Sequence, residues 1–92
     1  MNIIYYAVFH YDDELWVSFP DLPGCFSCGS NYKIAVEMAR DALGLYIDDV
    51  NNKQLPTATP LSLINLQKNE QAVKITVEIE VVNGKIVYNN VK

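Results

Sequence analysis

The chain has 92 residues, of which 50% are hydrophobic and 20% are charged. This length accommodates one domain, and the composition is that of a globular protein and not of a disordered chain. The formal net charge of −4 opposes contact with a phosphate backbone and suits a basic protein partner. We therefore predict a single domain over residues 1–92 that binds no nucleic acid directly.

No apolar run in the sequence approaches the roughly 20 residues that a membrane-spanning helix needs. The N-terminus lacks the basic region that begins a secretory signal, and it meets acidic residues from Asp12 onward. These features predict a cytoplasmic protein without a membrane partner, in which Cys25 and Cys28 are reduced thiols.

The first part of the chain predicts three strands. Ile3–Tyr11 is a nearly unbroken apolar run rich in β-branched and aromatic residues, which is typical of a central strand buried on both faces. After the acidic turn Asp12–Glu14, Leu15–Phe19 follows as a second strand that can pair with the first as a hairpin. Two prolines and Gly24 then form a turn before a short third strand, Cys25–Cys28.

A helix of about 18 residues follows, with Ser30 or Asn31 as its N-cap and Asn51–Asn52 as its stop. Its apolar residues recur every three or four positions, which is typical of a single buried stripe. The residues of this predicted stripe are Ile34, Ala35, Met38, Ala39, Ala42, Leu45 and Tyr46.

A connector over residues 60–72, with one short helical turn in Leu61–Leu66, leads to a C-terminal hairpin over residues 73–88. Val73–Val82 alternates apolar and polar residues, as a strand with one buried face does. Asn83–Gly84 has the residue types of a two-residue hairpin turn. The predicted order is β-β-β-α-β-β, an α+β fold in which one main helix packs on an antiparallel-rich sheet.

Two segments carry a resemblance to a known family. WVSFPDLPGC (Trp16–Cys25) is a strand that ends in a proline-rich turn, and AVEMARDAL (Ala35–Leu43) is helical and is followed by Leu55-Pro56. Through these motifs, roughly the first 60 residues resemble the N-terminal domain of the HicB antitoxins.

The resemblance implies a truncated RNase H-like fold, β-β-β-α-β(-β). It also implies direct binding to, and neutralisation of, a small basic HicA-type toxin, an mRNA-cleaving protein with a double-stranded-RNA-binding-like fold. Many HicB proteins add a C-terminal ribbon-helix-helix or helix-turn-helix module that binds their own operator. Here only four residues follow Tyr88, so we expect no DNA-reading helix in this chain, and the sequence leaves open whether the chain takes part in operator repression.

Three features invite a catalytic or metal-binding interpretation. Two-metal phosphodiester cleavage needs carboxylates that converge from strands and a helix, whereas Ile3–Tyr11 carries none and Asp12–Glu14 forms a solvated turn. Cys25 and Cys28 form a C-x-x-C pair, but a zinc site needs four ligands, and on an extended strand the two side chains face opposite sides. His10, the one histidine, is interpreted as a polar group at a strand end. We predict no catalytic residue, no metal and no cofactor.

The acidic residues are candidates for partner binding. Asp48 and Asp49 lie in the last helical turn, where the helix dipole disfavours anions by about 0.3–1 kcal/mol each. This position indicates a purpose other than helix stability, although a solvated acidic surface explains each carboxylate equally well. The predicted toxin-binding residues are Asp12, Asp13, Glu14, Trp16, Asp21, Asp48 and Asp49.

The main hypothesis is a non-enzymatic antitoxin of a type II toxin–antitoxin system that covers the RNA-binding surface of its toxin. The alternative from another class is a stand-alone oligomerisation or regulatory module without a toxin. The edge strand of the C-terminal hairpin can pair across a two-fold axis, so we expect a homo-oligomer, a dimer or larger. A third interpretation, a vestigial RNase H-like nuclease, is disfavoured by the acid-free first strand.

Overall fold

A computed structural model of the protein describes residues 2–49 and 55–88. Its strands form one antiparallel sheet, and a helix packs on one face. The order of the strands in the sheet is β3 (Phe26–Cys28), β2 (Leu15–Ser18), β1 (Asn2–Tyr11), β4 (Glu70–Val82) and β5 (Lys85–Tyr88). The predicted α+β class and the predicted order of elements are confirmed, while the relation to the RNase H fold stays a prediction. The elements in chain order are β1 (Asn2–Tyr11), β2 (Leu15–Ser18), β3 (Phe26–Cys28), α1 (Tyr32–Asp49), a 3-10 turn (Leu61–Leu63), β4 (Glu70–Val82) and β5 (Lys85–Tyr88).

Several element ends are now defined. β4 begins at Glu70, inside the predicted connector, because residues 70–72 pair with the end of β1. Asn31 is the N-cap of α1, since its Oδ1 accepts a hydrogen bond from the backbone N–H of Ile34 at 2.9 Å. The predicted helix stop at Asn51–Asn52 lies outside the described residues.

The core lies between the sheet and α1. Alternate residues of β1, from Ile3 to Phe9, share one face of the sheet with Val73, Ile75 and Val77 of β4. Complete burial of an aliphatic or aromatic side chain contributes roughly 1.5–3 kcal/mol, so this layer holds the helix on the sheet. The largest fully buried side chains are Phe9, Leu22, Leu43, Ile47, Ile75, Ile79, Val17 and Val77.

The buried stripe of α1 differs from the predicted one. Ile34, Met38 and Leu45 are exposed by 40%, 44% and 65%. A Cβ atom on Gly29 would lie 2.5 Å from the backbone nitrogen of Ala35, so glycine is what lets the first turn of α1 approach the end of β3 with Ala35 inward. That contact fixes the rotation of the helix. The helix residues that are fully buried are Ala35, Ala39, Leu43 and Ile47.

The prediction that β1 is buried on both faces is wrong. Ile4 is 41% exposed, and Tyr6 and His10 are partly exposed, whereas Val8 is buried. The reason is that α1 covers the other side of the sheet. We call the uncovered side the open face; its residues are Ile4, Tyr6, Val8 and His10 of β1, Trp16 and Ser18 of β2, Phe26 and Cys28 of β3, and Ala72, Lys74, Thr76 and Glu78 of β4.

The β4–β5 hairpin has the predicted turn. Asn83 and Gly84 take φ values of 53° and 77°, and positive φ at both positions matches the right-handed twist of the flanking strands. The register pairs Val82 with Lys85. β1 pairs with β4 only as far as Glu78, so beyond that residue the hairpin is a two-stranded ribbon at the edge of the sheet.

Candidate functional site

The acidic turn between β1 and β2 contains carboxylates in two different situations. Asp12, Asp13 and Glu14 are all exposed. Asp12 accepts a hydrogen bond from Trp16 Nε1 at 2.9 Å and another from the side-chain amide of Asn69. Within residues 2–49 and 55–88, Asp13 and Glu14 have neither a hydrogen bond nor an ion pair. Asp12 therefore holds the turn together, and the other two carboxylates remain available to a partner.

Trp16 is the aromatic residue that this turn positions. Its ring stacks on His10 with centroids 3.7 Å apart and planes 9° from parallel, and it lies 6.4 Å from the tilted ring of Phe26. Its N–H is bound by Asp12. Trp16 nevertheless remains 37% exposed. An exposed indole whose orientation is already fixed loses little entropy on binding, which is the property of an interface anchor.

His10 forms the centre of a hydrogen-bonded network on the open face. Its Nδ1 lies 2.8 Å from Glu70 Oε2, and its Nε2 lies 2.7 Å from Ser18 Oγ. The second oxygen of Glu70 accepts a hydrogen bond from the backbone N–H of Gln67 at 2.8 Å. The prediction of a polar group near a strand end is refined here, because His10 joins three strands and supports the Trp16 ring.

Ser18, His10 and Glu70 are hydrogen-bonded one to the next, as the serine, histidine and carboxylate of an acyl-transfer site are. Such a site needs backbone or side-chain donors aimed at a common point beside the nucleophile, to bind the developing oxyanion. Ser18 is the last residue of β2 and pairs with Val8 of β1 on one side and Phe26 of β3 on the other, and the next backbone N–H, that of Phe19, donates to the carbonyl of Cys25. The arrangement therefore matches a brace for the aromatic surface better than a hydrolase.

A shallow cleft lies next to this surface. It has a volume of about 410 Å³ and lies between the acidic turn and the start of α1. Asp13 and Glu14 provide its carboxylates, and Leu15 provides an apolar wall. Such a cleft suits a long basic side chain, because the aliphatic part can pack on the leucine while the charged end meets the carboxylates. The remaining lining residues are Cys28, Gly29 and Ser30.

Asp21 is part of a different contact. Its two oxygens accept hydrogen bonds from the backbone N–H of Thr59 at 2.9 Å and from the Thr59 hydroxyl at 2.6 Å. Nearby, Tyr5 donates a hydrogen bond to the carbonyl of Pro56. Burial raises the pKa of Tyr5, and the charges of Asp21 and Tyr46 add to this effect. Asp21 thus fixes the chain that follows α1.

Asp48 lies far from the acidic turn. The first residue of α1, Tyr32, packs its ring 5.5 Å from that of Phe9 near the end of β1, and Ser30, just before the helix, lines the same cleft as Asp13 and Glu14. A helix of 18 residues is about 27 Å long. The structure therefore brings Asp12, Asp13, Glu14 and Trp16 together and leaves Asp48 and Asp49 at the other end of the helix. Asp48 is exposed.

Exposed apolar residues near this surface escaped the sequence prediction. Phe26 is 62% exposed beside Trp16, and the connector carries Leu61, Leu63 and Leu66 at 50%, 67% and 42% exposure. One signal was available: these leucines follow a proline-rich segment and have no helical or strand period that would bury them.

The two cysteines are free thiols in contrasting environments. Cys25 is buried and Cys28 is exposed. Burial raises the pKa of the Cys25 thiol to about 11, so this thiol remains protonated under ordinary conditions. Within the described part of the chain, no group of three or more His, Cys, Asp and Glu residues is arranged to hold a metal ion. Over the same residues, no helix is long and apolar enough to cross a membrane.

Together, the fold and the surface define a small α+β domain with one helix, an open sheet face and an aromatic and acidic edge. The same fold occurs in a solved toxin–antitoxin complex from Streptococcus pneumoniae, with a TM-score of 0.76 and 22% identity over 85% of this chain and 70% of that chain. The sequence matches the profile of the HicB-like antitoxins of bacterial toxin–antitoxin systems over residues 5–91. The chain belongs to this family, which confirms the resemblance found in its motifs.

A relative is encoded by Haemophilus phage HP1 (strain HP1c1). This 14.9 kDa protein from the rep–hol intergenic region is 29% identical over an alignment of 72 residues that covers 75% of this chain and 54% of the relative. The chain thus spans about half the length of the curated relative that it matches.

Proposed function

We propose that this domain is a cytoplasmic, non-enzymatic antitoxin that binds a small basic HicA-type toxin and covers its RNA-binding surface. Family membership supports an antitoxin. The observation that carries the choice of surface is the fixed, exposed Trp16 beside the carboxylates of Asp13 and Glu14, which have no partner within residues 2–49 and 55–88.

The edge of the sheet that carries Trp16, Asp13 and Glu14 suits the chemistry of an RNA-binding surface. Lysine and arginine side chains that neutralise phosphates also bind carboxylates, and an arginine can stack on an indole. Asp13 and Glu14 would speed the encounter and fix its orientation, while Trp16 would slow dissociation. The protein would thus place anions and an aromatic ring where the toxin otherwise binds RNA.

Asp21, Asp48 and Asp49 remain predicted contacts. Asp48 is an exposed aspartate at the far end of α1, outside the acidic turn, so Asp48→Asn tests its predicted contact separately from that turn. If the toxin uses only the Trp16 edge, Asp48→Asn leaves binding unchanged, and if Asp48 also contributes, its substitution weakens binding by a measurable factor.

The test is co-expression with a HicA-type toxin encoded beside this protein. We expect relief of growth arrest and a complex on size exclusion. In purified form, Trp16→Ala should weaken binding by about tenfold or more, and the double substitution Asp13→Asn with Glu14→Gln should mainly lower the association rate. Absence of both a complex and relief of growth arrest would refute the proposal.

A second candidate function, self-association, is favoured by the β4–β5 ribbon. β5 lies at the edge of the sheet, and Val81, Val82 and Val87 on the ribbon are exposed by 59%, 46% and 37%. A two-stranded ribbon is marginally stable in water by itself. Pairing of two β5 strands across a two-fold axis would satisfy the free backbone groups of both copies.

A further inference from the structure

The segment 55–69 between α1 and β4, which we call the connector, is tied to the rest of the protein near both of its ends. Tyr5 donates a hydrogen bond to the carbonyl of Pro56, and Asp21 accepts two hydrogen bonds from Thr59. At the other end, the backbone N–H of Gln67 donates a hydrogen bond to the carboxylate of Glu70, and the side-chain amide of Asn69 donates one to Asp12. The segment between these ties is therefore held in place although it contains only one short 3-10 turn.

This fixed segment presents leucines to solvent. Leu63 is the most exposed at 67%, followed by Leu61 at 50% and Leu66 at 42%, and none of the residues of the 3-10 turn is buried. Ile64 is half-buried. A single exposed leucine is ordinary, but a cluster of them beside other exposed apolar side chains marks a contact surface.

The end of the connector next to Leu66 is linked to the aromatic site through a short series of contacts. Leu66 precedes Gln67, whose backbone N–H is bound by Glu70. Glu70 binds His10, and the His10 ring stacks on Trp16. The connector thus reaches the same side of the sheet as the fixed indole, and its last tie, Asn69 to Asp12, reaches the acidic turn.

We propose that Leu61, Leu63 and Leu66 form, with Trp16 and Phe26, the apolar centre of the toxin-binding surface, with the acidic turn as its rim. This inference rests on the proposed function. The occupant is a basic protein with apolar side chains inside its positive surface, because the rim carboxylates of Asp13 and Glu14 have no hydrogen bond or ion pair within the described residues. An apolar centre surrounded by a charged rim is the usual anatomy of a protein interface.

The outer side of α1 is the competing surface. Ile34, Met38 and Leu45 are exposed there, but α1 packs on the side of the sheet opposite the open face that carries Trp16. In this proposal, a small toxin that contacts the Trp16 ring extends over the connector and not over the outer side of α1.

The two surfaces offer a matched pair of variants. Leu63 and Leu45 are the same residue type with 67% and 65% exposure. We expect Leu63→Asp to weaken binding of the toxin by about tenfold or more, and Leu45→Asp to change it by less than about twofold. Calorimetry measures both dissociation constants, and circular dichroism with a thermal melt checks that both variants fold. Leu63→Ser serves the same purpose if Leu63→Asp does not fold.

Two contrary outcomes are distinguishable. If the unaltered protein binds the toxin but Leu45→Asp weakens binding while Leu63→Asp and Leu63→Ser do not, this inference is wrong and the proposed function stands. If the unaltered protein binds no HicA-type toxin, the proposed function fails and this inference fails with it.

Discussion

At the scale of single residues, the three neighbouring carboxylates of the acidic turn divide between two roles. Asp12 has both oxygens engaged, by Trp16 and by Asn69, whereas Asp13 and Glu14 have no partner within the described residues. The sequence predicts a cluster of three acids but does not distinguish them, because Asn69 lies 57 positions away along the chain. The difference between the three is a property of the tertiary structure.

This difference predicts that substitution of Asp12 mainly lowers stability, whereas substitution of Asp13 mainly slows association with the toxin. Asp12→Ala removes two exposed hydrogen bonds and should lower the free energy of unfolding by about 0.5–1.5 kcal/mol. Asp13→Ala should change that free energy by less than about 0.5 kcal/mol but slow association with the toxin, and the slowing should diminish at high salt. Urea unfolding and stopped-flow association measure the two quantities. Equal losses of stability in both variants would contradict this division.

The two thiols should differ in reactivity. Cys28 is exposed, and Cys25 is buried with its pKa raised to about 11. In the folded protein at about pH 8, a thiol reagent should modify one cysteine rapidly and the second only on unfolding. Cys28→Ser should abolish the rapid phase, whereas Cys25→Ala should leave it intact. Two rapid equivalents in the folded protein would show that Cys25 is accessible.

The same thiol predicts a loss of stability in alkaline solution. Because the pKa of Cys25 is raised in the folded state from 9.0 to about 11, its contribution to stability is complete below about pH 9 and is lost as pH rises through the folded value. Tyr5, whose pKa burial also raises, acts in the same direction. The urea midpoint should therefore fall as the pH rises from about 9 to about 11, and less steeply in Cys25→Ala. A midpoint independent of pH over this range would contradict the assignment.

At the scale of elements, the helix shows what a hydrophobic pattern determines and what it does not. The spacing of apolar residues correctly predicts that residues 32–49 are helical, because a local period reports local structure. It does not determine which side faces the sheet, since Ile34 and Ala35 belong to overlapping stripes. The choice depends on the contact of Gly29 with Ala35, in which small residues allow the closest approach.

That contact predicts an unusually sensitive glycine. In Gly29→Ala the new Cβ atom would lie 2.5 Å from the backbone nitrogen and 2.6 Å from the Cα of Ala35, so α1 must move away from β3. We expect the free energy of unfolding to fall by about 1–3 kcal/mol. Ser30→Ala, at the exposed neighbouring position, should stay within about 0.5 kcal/mol. Denaturant unfolding measures both, and an unchanged midpoint in Gly29→Ala would show that the helix adjusts without cost.

At the scale of the whole molecule, the sequence predicts the order of elements well and the covering of the sheet poorly. The hairpin turn at Asn83–Gly84 and its register follow from local rules. The exposure of the second face of β1 does not, because an apolar run has the same pattern whether one or two layers cover it. The aromatic surface lies on this second, open face. Trp16 is predicted from its motif, whereas the exposure of Phe26 and of the connector leucines depends on how distant segments meet.

The edge of the sheet leads to a prediction about assembly. Among the described strands β5 pairs only with β4 and lies at the edge of the sheet, and Val87 on this strand is 37% exposed. If two copies pair through β5, light scattering coupled to size exclusion should give twice the 10.4 kDa of one chain, and Val87→Asp should return the protein to a monomer, because like charges would meet close to the two-fold axis. Leu45→Asp, on the outer side of α1, should remain dimeric. A monomer at all concentrations up to about 1 mM, where the weakest specific contacts are half-formed, would show that the ribbon edge is not a contact between copies.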